Sequence, residues 1–404
     1  MKRFERISIG VALIIFLLLT NKLSAQVQTG SIDASVDSVE ISLLTCDARQ
    51  NVYSLYGHTA IRVQDKSTLH PLDVAVNYGM FSFSKPFFVL RFVFGLTDYE
   101  MGIEPFSDFF QQYSAYGCGV RQQVLNLTDG EKAAMLKAIG VNYEPQNRVY
   151  RYNYFYDNCT TRARDMIVGH ISGTVRYPSH KNVRTSYREM IHAWNDQHPW
   201  ARFGNDLLLG IKSDFPTNAE QQQFLPDNLR ADFDGAAIVA KDGSKRPLVA
   251  ASYWIVPHVE HPLEVEFPLT PTQCALILAA LIVVLTLLEW RKRCTWWGID
   301  AVLLLADGLC GLILLAMVFS EHPTVSLNFQ MLALNPLSIV FLYPAVNHLR
   351  RGRLHWWLPA FCILLVLFLF GGIFQQYAEG ITIVALSLLF RYSSKTLQLV
   401  KGKK

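Results

Sequence analysis

Residues 149–170 read VYRYNYFYDNCTTRARDMIVGH. An aromatic, strand-like run over 149–156 gives way at Asp157-Asn158 to a stretch whose apolar positions suit a helix over 160–170, with Asp157 or Asn158 as its N-cap. Cys159 therefore stands where a strand ends and a helix begins. The helix dipole and the unpaired N–H groups of a first turn favour a thiolate, the reactive form of cysteine. The same N–H groups suit the oxyanion of an acyl-transfer intermediate. A lone cysteine is more often a buried hydrophobe or half a disulfide. Here, however, Asp157, Asn158, Thr160, Thr161 and Arg162 make a polar setting for a core position.

A cysteine nucleophile needs a histidine base, itself held by a third polar group. His58, in YGHTAIRV (56–63), opens an alternating segment and follows Gly57, which permits close backbone approach. Alternation predicts strands over 39–46 and 58–64, a turn at 66–71 and a further extended segment over 73–78. A helix is expected over 130–141, with Thr128 or Asp129 as cap. If the strand from His58 pairs antiparallel with 73–78, Asn77 is the best-placed orienter of the imidazole, with His70 and Tyr78 as rivals.

The surrounding chain is amphibious. Of 404 residues 51% are apolar and 17% charged, and the mean hydropathy is +0.19, too apolar for an ordinary soluble protein and too charged for a wholly embedded one. A net charge of +4 is too small to argue for nucleic acid. Lys2, Arg3 and Arg6 precede an uncharged run over 7–20 and a small-residue site at Leu23-Ser24-Ala25, so residues 1–25 read as an export signal. Five apolar stretches follow, at roughly 272–290, 299–319, 331–348, 356–374 and 377–393. Eleven Lys and Arg occupy their first and third loops and the C-terminal tail, against none in 321–330 or 375–380. The positive-inside rule then puts residues 26–268 in the periplasm, a five-helix module at 269–394 in the inner membrane and a basic tail at 395–404 in the cytoplasm.

Seven cysteines divide between these parts. Cys274, Cys294, Cys310 and Cys362 lie in or beside the apolar stretches. Cys46, Cys118 and Cys159 lie in the exported part, where Cys46 and Cys118 are free to pair with each other. No C-x-x-C or H-E-x-x-H pattern occurs, so neither a structural zinc site nor a zincin is expected, and acyl transfer through a thiol requires no metal or other cofactor. The apolar, aromatic run over 81–96 reads either as core strands or as an element dipping into the lipid interface. Asp307, inside the second stretch, is expected to face the bundle beside Gly308 and Gly311. Glu321, His322 and Asn328, in a loop without basic residues, are candidates to line the site from the membrane side, a polar interfacial loop being the alternative.

GHTAIRV (57–63), VNYGMF (76–81), YNYFYDNCTTRARD (152–165), FLPDNL (224–229) and EHPTVSLNFQMLALNPL (321–337) together resemble the Bacteroidota lipoprotein N-acyltransferases over nearly the whole mature chain. The exported part is similar in turn to the circularly permuted papain-like thiol enzymes of the NlpC and lecithin:retinol acyltransferase type. In those His precedes Cys and an Asn-Cys pair opens the nucleophile helix, as His58 and Asn158-Cys159 do here. The resemblance implies an α+β papain-like periplasmic domain on an all-α five-helix transmembrane module, with Cys159, His58 and Asn77 catalytic. Asn158, Tyr78, Glu321 and His322 are then candidates for substrate binding. It further implies a phospholipid as acyl donor and diacylglyceryl-modified lipoproteins as acceptors, through a thioester on Cys159. Two rival classes use the same residues differently: a periplasmic cysteine hydrolase acting on peptidoglycan or phospholipid, and a non-enzymatic membrane assembly protein.

Overall fold

The computed structural model describes residues 36–49, 54–67, 71–81, 86–87, 91–92, 94–178, 184–259 and 267–401. The expected export signal, His70 and half of the 81–96 run lie outside the described residues.

Strands β1 (Val39–Cys46), β2 (His58–Asp65), β3 (Leu72–Met80) and β4 (Asp98–Pro105) pair antiparallel in chain order. β5 (Val120–Leu125) and β10 (Val249–Val256) extend the sheet beyond β1, and β6 (Val149–Arg151) extends it beyond β4. β7 (Thr174–Arg176), β8 (Ala237–Val239) and β9 (Lys245–Pro247) form a second, small sheet. Side chains alternate along each strand, so the two faces of the large sheet bury different sets. Ile41, Ile61, Val76 and Tyr78 meet α2 (Asp129–Tyr143), α3 (Cys159–Val168) and α6 (Pro226–Gly235). Leu44, Cys46, Ala60 and Ala75 meet Phe106, Phe109 and Tyr113 of α1 (Phe106–Ala115). Each such large apolar side chain contributes about 1.5–3 kcal/mol when fully buried.

The expected strands and the helix over 130–141 appear within a residue or two, and Thr128 caps α2 by accepting from Glu131 N. The aromatic run departs from expectation, staying in the ladder only as far as Arg151. Residues 153–157 close a turn, Asp157 N donating to Asn153 O at 2.9 Å. Tyr154 and Phe155 are drawn into a cluster with Tyr187 and Phe224, so their apolar bulk serves packing and not the sheet.

The C-terminal part is helical: α7 (Pro271–Lys292), α8 (Trp297–Val318), α9 (Leu342–Arg350), α10 (Trp357–Gly371) and α11 (Ile381–Lys401). The five apolar stretches do not all form single long helices. Among the described residues α7 and α8 are long and apolar enough to cross a membrane. The third stretch is broken, Phe329–Val340 and Leu342–Arg350 meeting at 73°. The chain bends at Phe341, and Pro344 in the first turn of α9 lacks the N–H that a continuous helix would donate to Val340 O. The broken backbone is buried against α8: Asp307 accepts from Asn335 N at 3.3 Å, and a Cβ on Gly308 would stand 2.5 Å from Ile339 Cγ1. Irregular backbone at membrane depth is tolerated when protein covers it in this way. α10 has only 15 residues, short of the about 20 that a span needs.

The expected tail also changes. α11 continues through Lys401, and its Arg391 and Lys395 are buried in the helical module rather than solvated. Arg391 Nε donates to Asp300 Oδ1 at 2.7 Å, and Lys395 Nζ donates to Glu289 Oε1 at 2.9 Å. Buried charges persist only when paired, and here two cations of α11 meet one carboxylate each from α7 and α8.

The two parts share a polar seam. Gly210 N and Ile211 N donate to Thr324 O and Leu327 O at 2.8 and 2.9 Å. Gly210 is obligatory there, because a Cβ would collide with Leu327 O. Asn328, Gln330 and Gln375 are buried in the same seam, Asn328 Nδ2 donating to Leu207 O at 2.8 Å and Gln375 Nε2 to Leu209 O at 3.1 Å. On the sheet-bearing side the fully buried Arg188, on α4 (Tyr187–Asn195), pairs with Asp206 of α5 (Pro199–Leu208) and with Asp214 just beyond it, both at 2.7 Å.

Candidate active site

α3 begins at Cys159 because Asn158 stops the chain in an extended conformation and caps the helix. Its Oδ1 accepts from Thr160 N and Thr161 N, both at 2.9 Å. Its Nδ2 donates to Tyr154 O and Phe224 O at 3.0 and 2.9 Å, tying the start of α3 to the aromatic cluster. Thr59 and Thr160 hydroxyls lie 3.0 Å apart and join the start of β2 to the first turn of α3. Asn158 is thus a buried structural cap and is not placed to bind substrate, its donors and its acceptor being used inside the protein. Two first-turn N–H groups that the sequence offered to an oxyanion are likewise taken.

His58 is the first residue of β2 and lies directly across from Cys46 in β1. The turn into β2 requires glycine: Gly57 has φ of +78°, and a Cβ would stand 2.5 Å from Cys46 O. Asn77 pairs with Ala60, two residues along from His58, and its Oδ1 lies 3.0 Å from His58 Nε2. The β3–β4 ladder shifts register between Asn77 and Met80. Gly79, inside that bulge with φ of +82°, turns a bare backbone toward the nucleophile; a Cβ there would stand 3.7 Å from Cys159 Cβ.

Cys159 and His58 perturb each other in opposite directions. Burial is the largest influence on the thiol and opposes its ionisation. The charge and hydrogen bond of His58, the Thr59 N–H and the Thr160 hydroxyl together outweigh burial and bring the thiol below its ordinary range. Burial likewise opposes charge on His58, but the Cys159 charge and hydrogen bonds to Cys159 and Asn77 raise the imidazole above its usual value. The arrangement favours a thiolate–imidazolium pair. Cys46 differs: burial pushes its thiol far up, against a hydrogen bond to Tyr113 and the charge of Arg49. Cys46 and Cys118 are both free thiols, so the disulfide open to them in the exported part is not formed.

Such a pair, with its thiol at a helix N-terminus and a bare backbone beside it, is equipped for acyl chemistry. A family model described as the Lnb N-terminal periplasmic domain matches residues 26–192. A second, described as the Lnb transmembrane domain, matches residues 263–403. The chain belongs to the Lnb family. Neither a curated protein nor a solved structure matches it. Both Lnb domains are thus present in one chain, a sheet-rich periplasmic domain followed by a helical membrane module.

Three candidates fall elsewhere. Tyr78 points to the opposite sheet face from Asn77, is buried beneath α2 and α3, and donates to Asn142 Oδ1 at 2.9 Å. Burial pushes its phenol up to about 12, and it is core, not a substrate contact or a rival to Asn77. Glu321 N donates to Phe94 O, and its carboxylate pairs with Arg151 at 2.8 Å. The His322 ring packs beside Phe92, 6.1 Å between centroids, and burial holds the imidazole below its ordinary value. Both residues dock the membrane module onto the 91–95 segment. Asn328 lies in the seam.

One residue of the site was not anticipated. Glu104 of β4 accepts from Asn77 Nδ2 at 2.6 Å. A single glutamate in a strand carries no local signal, and only the pairing of β3 with β4 brings it to Asn77. Among the described residues no group of three or more His, Cys, Asp and Glu could hold a metal ion.

Proposed function

We propose that this protein is a lipoprotein N-acyltransferase of the inner membrane. Its periplasmic domain is a permuted papain-like thiol enzyme, and its C-terminus is cytoplasmic. The observation that carries the reading is the polarised Cys159–His58 pair, in an Lnb chain whose nucleophile helix is tied to a membrane module.

The Cys159 thiolate attacks the acyl ester carbonyl of a phospholipid. The Cys159 N–H, left over once Asn158 has taken those of Thr160 and Thr161, receives the oxyanion. The tetrahedral adduct collapses as the His58 imidazolium protonates the departing glycerol oxygen, leaving a thioester and a lysophospholipid. The neutral α-amine of a diacylglyceryl-modified N-terminal cysteine then attacks the thioester. His58 takes the amine proton, an amide forms and the thiolate returns. Asn77 holds the imidazole through Nε2.

Mass spectrometry of lipoprotein N-terminal peptides tests the reading. Cells with the protein should show a third, amide-linked acyl chain, absent on deletion and absent with Cys159→Ala. Acyl groups released only as free fatty acid, whatever amine is supplied, would establish the hydrolase instead. Normal N-acylation with Cys159→Ala would leave an assembly role.

A further inference from the structure

We infer that Glu104 is a positioning residue that fixes which nitrogen of His58 is left for Cys159. The inference rests on the Cys159–His58 reading above. A carboxamide presents nearly the same shape after a 180° flip, so its neighbours decide which end points where. A carboxylate only accepts. Glu104 Oε1, 2.6 Å from Asn77 Nδ2, therefore commits the amine end of Asn77 to itself and the oxygen to His58 Nε2 at 3.0 Å. His58 Nε2 must then carry the proton, which leaves Nδ1 as the base toward the thiol.

Were the amide flipped, Nδ2 would face Nε2 and demand its lone pair. The neutral ring would be protonated on Nδ1 and could not take a proton from thiol or amine. Removing the group that holds the tautomer is one of the most damaging changes to a triad. The placement is built into the sheet: Asn77 pairs with Gly102 and Ala75 with Glu104, which makes Glu104 the diagonal neighbour of Asn77. The charged groups facing Glu104 are the His58 imidazole across the sheet and Asp108 on α1.

The test uses the full-length protein in detergent. It follows alkylation of Cys159 by iodoacetamide against pH, read at the Cys159 peptide, together with transfer to a lipopeptide amine. Glu104→Gln, which can donate as well as accept, should slow alkylation near neutral pH and lower kcat about tenfold with KM little changed. Asn77→Asp should do worse, because it sets a second carboxylate against that of Glu104. Asn77→Asp combined with Glu104→Gln should recover most of the loss, since the new carboxylate accepts from Nε2 and the new carboxamide donates to it. That rescue is not expected of a residue that only packs. A double variant no better than Asn77→Asp, or a Glu104→Gln protein with unchanged alkylation profile and kcat, overturns the inference. If the alkylation pattern holds while no variant, nor the wild type, acylates an amine, the transferase reading fails and the role of Glu104 stands.

Discussion

Gln330 Nε2 donates to Asp206 O at 2.8 Å, a bond from the membrane module into the periplasmic domain. The same side chain accepts from Ala378 N at 3.0 Å through Oε1, so one buried amide ties two loops of the module to the segment gripped by Arg188. A thiol enzyme acting on lipid has to hold its nucleophile at a set height above the bilayer. A fully satisfied polar seam does this more rigidly than a linker would.

Gln330→Leu keeps the bulk, strands the Ala378 N–H and leaves the Asp206 carbonyl only its 3.3 Å bond from Arg188 Nη1. Each buried orphan costs about 1–3 kcal/mol. The detergent-solubilised variant should melt several degrees lower and be cleaved faster by protease between residues 196 and 218. An unchanged melting profile would show that the seam is held elsewhere.

Phospholipid alone should load the enzyme. Intact mass should rise by one acyl group, labile to neutral hydroxylamine and absent in Cys159→Ala. Cys46→Ala and Cys118→Ser should load normally, because burial keeps both thiols protonated. Loading lost with Cys118→Ser in a folded protein would move the nucleophile.

The pH response follows from the two shifts. The thiol is lowered, so alkylation of Cys159 should rise through a pH below the ordinary thiol value of about 8.5 and then level off. In His58→Ala only burial and weaker hydrogen bonds remain, and the rise should move to higher pH. Transfer should show a second limb, falling as pH passes the raised imidazole value above about 6.5. An alkylation curve indifferent to His58→Ala would dissolve the pair.

Asn158→Ala removes the cap and the tether to Phe224 together. The cap alone contributes about 0.5–2 kcal/mol. Asn158→Asp keeps the accepting oxygen and loses both donations, so it should retain most of the stability and yet lose activity through misplacement of Cys159. Equal kcat in the Asp variant and the wild type would show that the Phe224 tether does not position the thiol.

What was legible in the sequence was local. Alternation over 39–46 and 58–64 gave β1 and β2, and a polar Asp-Asn-Cys-Thr-Thr run marked the start of α3. Hairpin pairing brought out Asn77 as a neighbour of His58, which the structure places 3.0 Å away. The misses are long-range. Tyr78 differs from Asn77 only in which face of β3 it takes, and Asn158 reads equally as cap or ligand until Phe224 is brought to it. The apolar letters around Phe341 conceal a broken helix. Arg391 and Lys395 resemble a solvated basic end, because their partners lie about a hundred residues earlier.

Those two cations bear on how the protein is made. Glu289 and Asp300 enter the bilayer early in synthesis, on the first two helices of the module, and their neutralising partners arrive on the last. Until α11 is in place, the two carboxylates, in the loop-side turns of α7 and α8, lack the buried partners that offset the several kcal/mol of enclosing each of them in protein. α11 in turn carries two positive charges that disfavour its staying in lipid alone. Completion of the module is therefore coupled to completion of translation. A nascent chain released before Ile381 should be recognised as unfinished and degraded, and pulse-chase of such a truncation beside one carrying Glu289→Gln and Asp300→Asn, which should persist longer, would reveal that built-in proofreading.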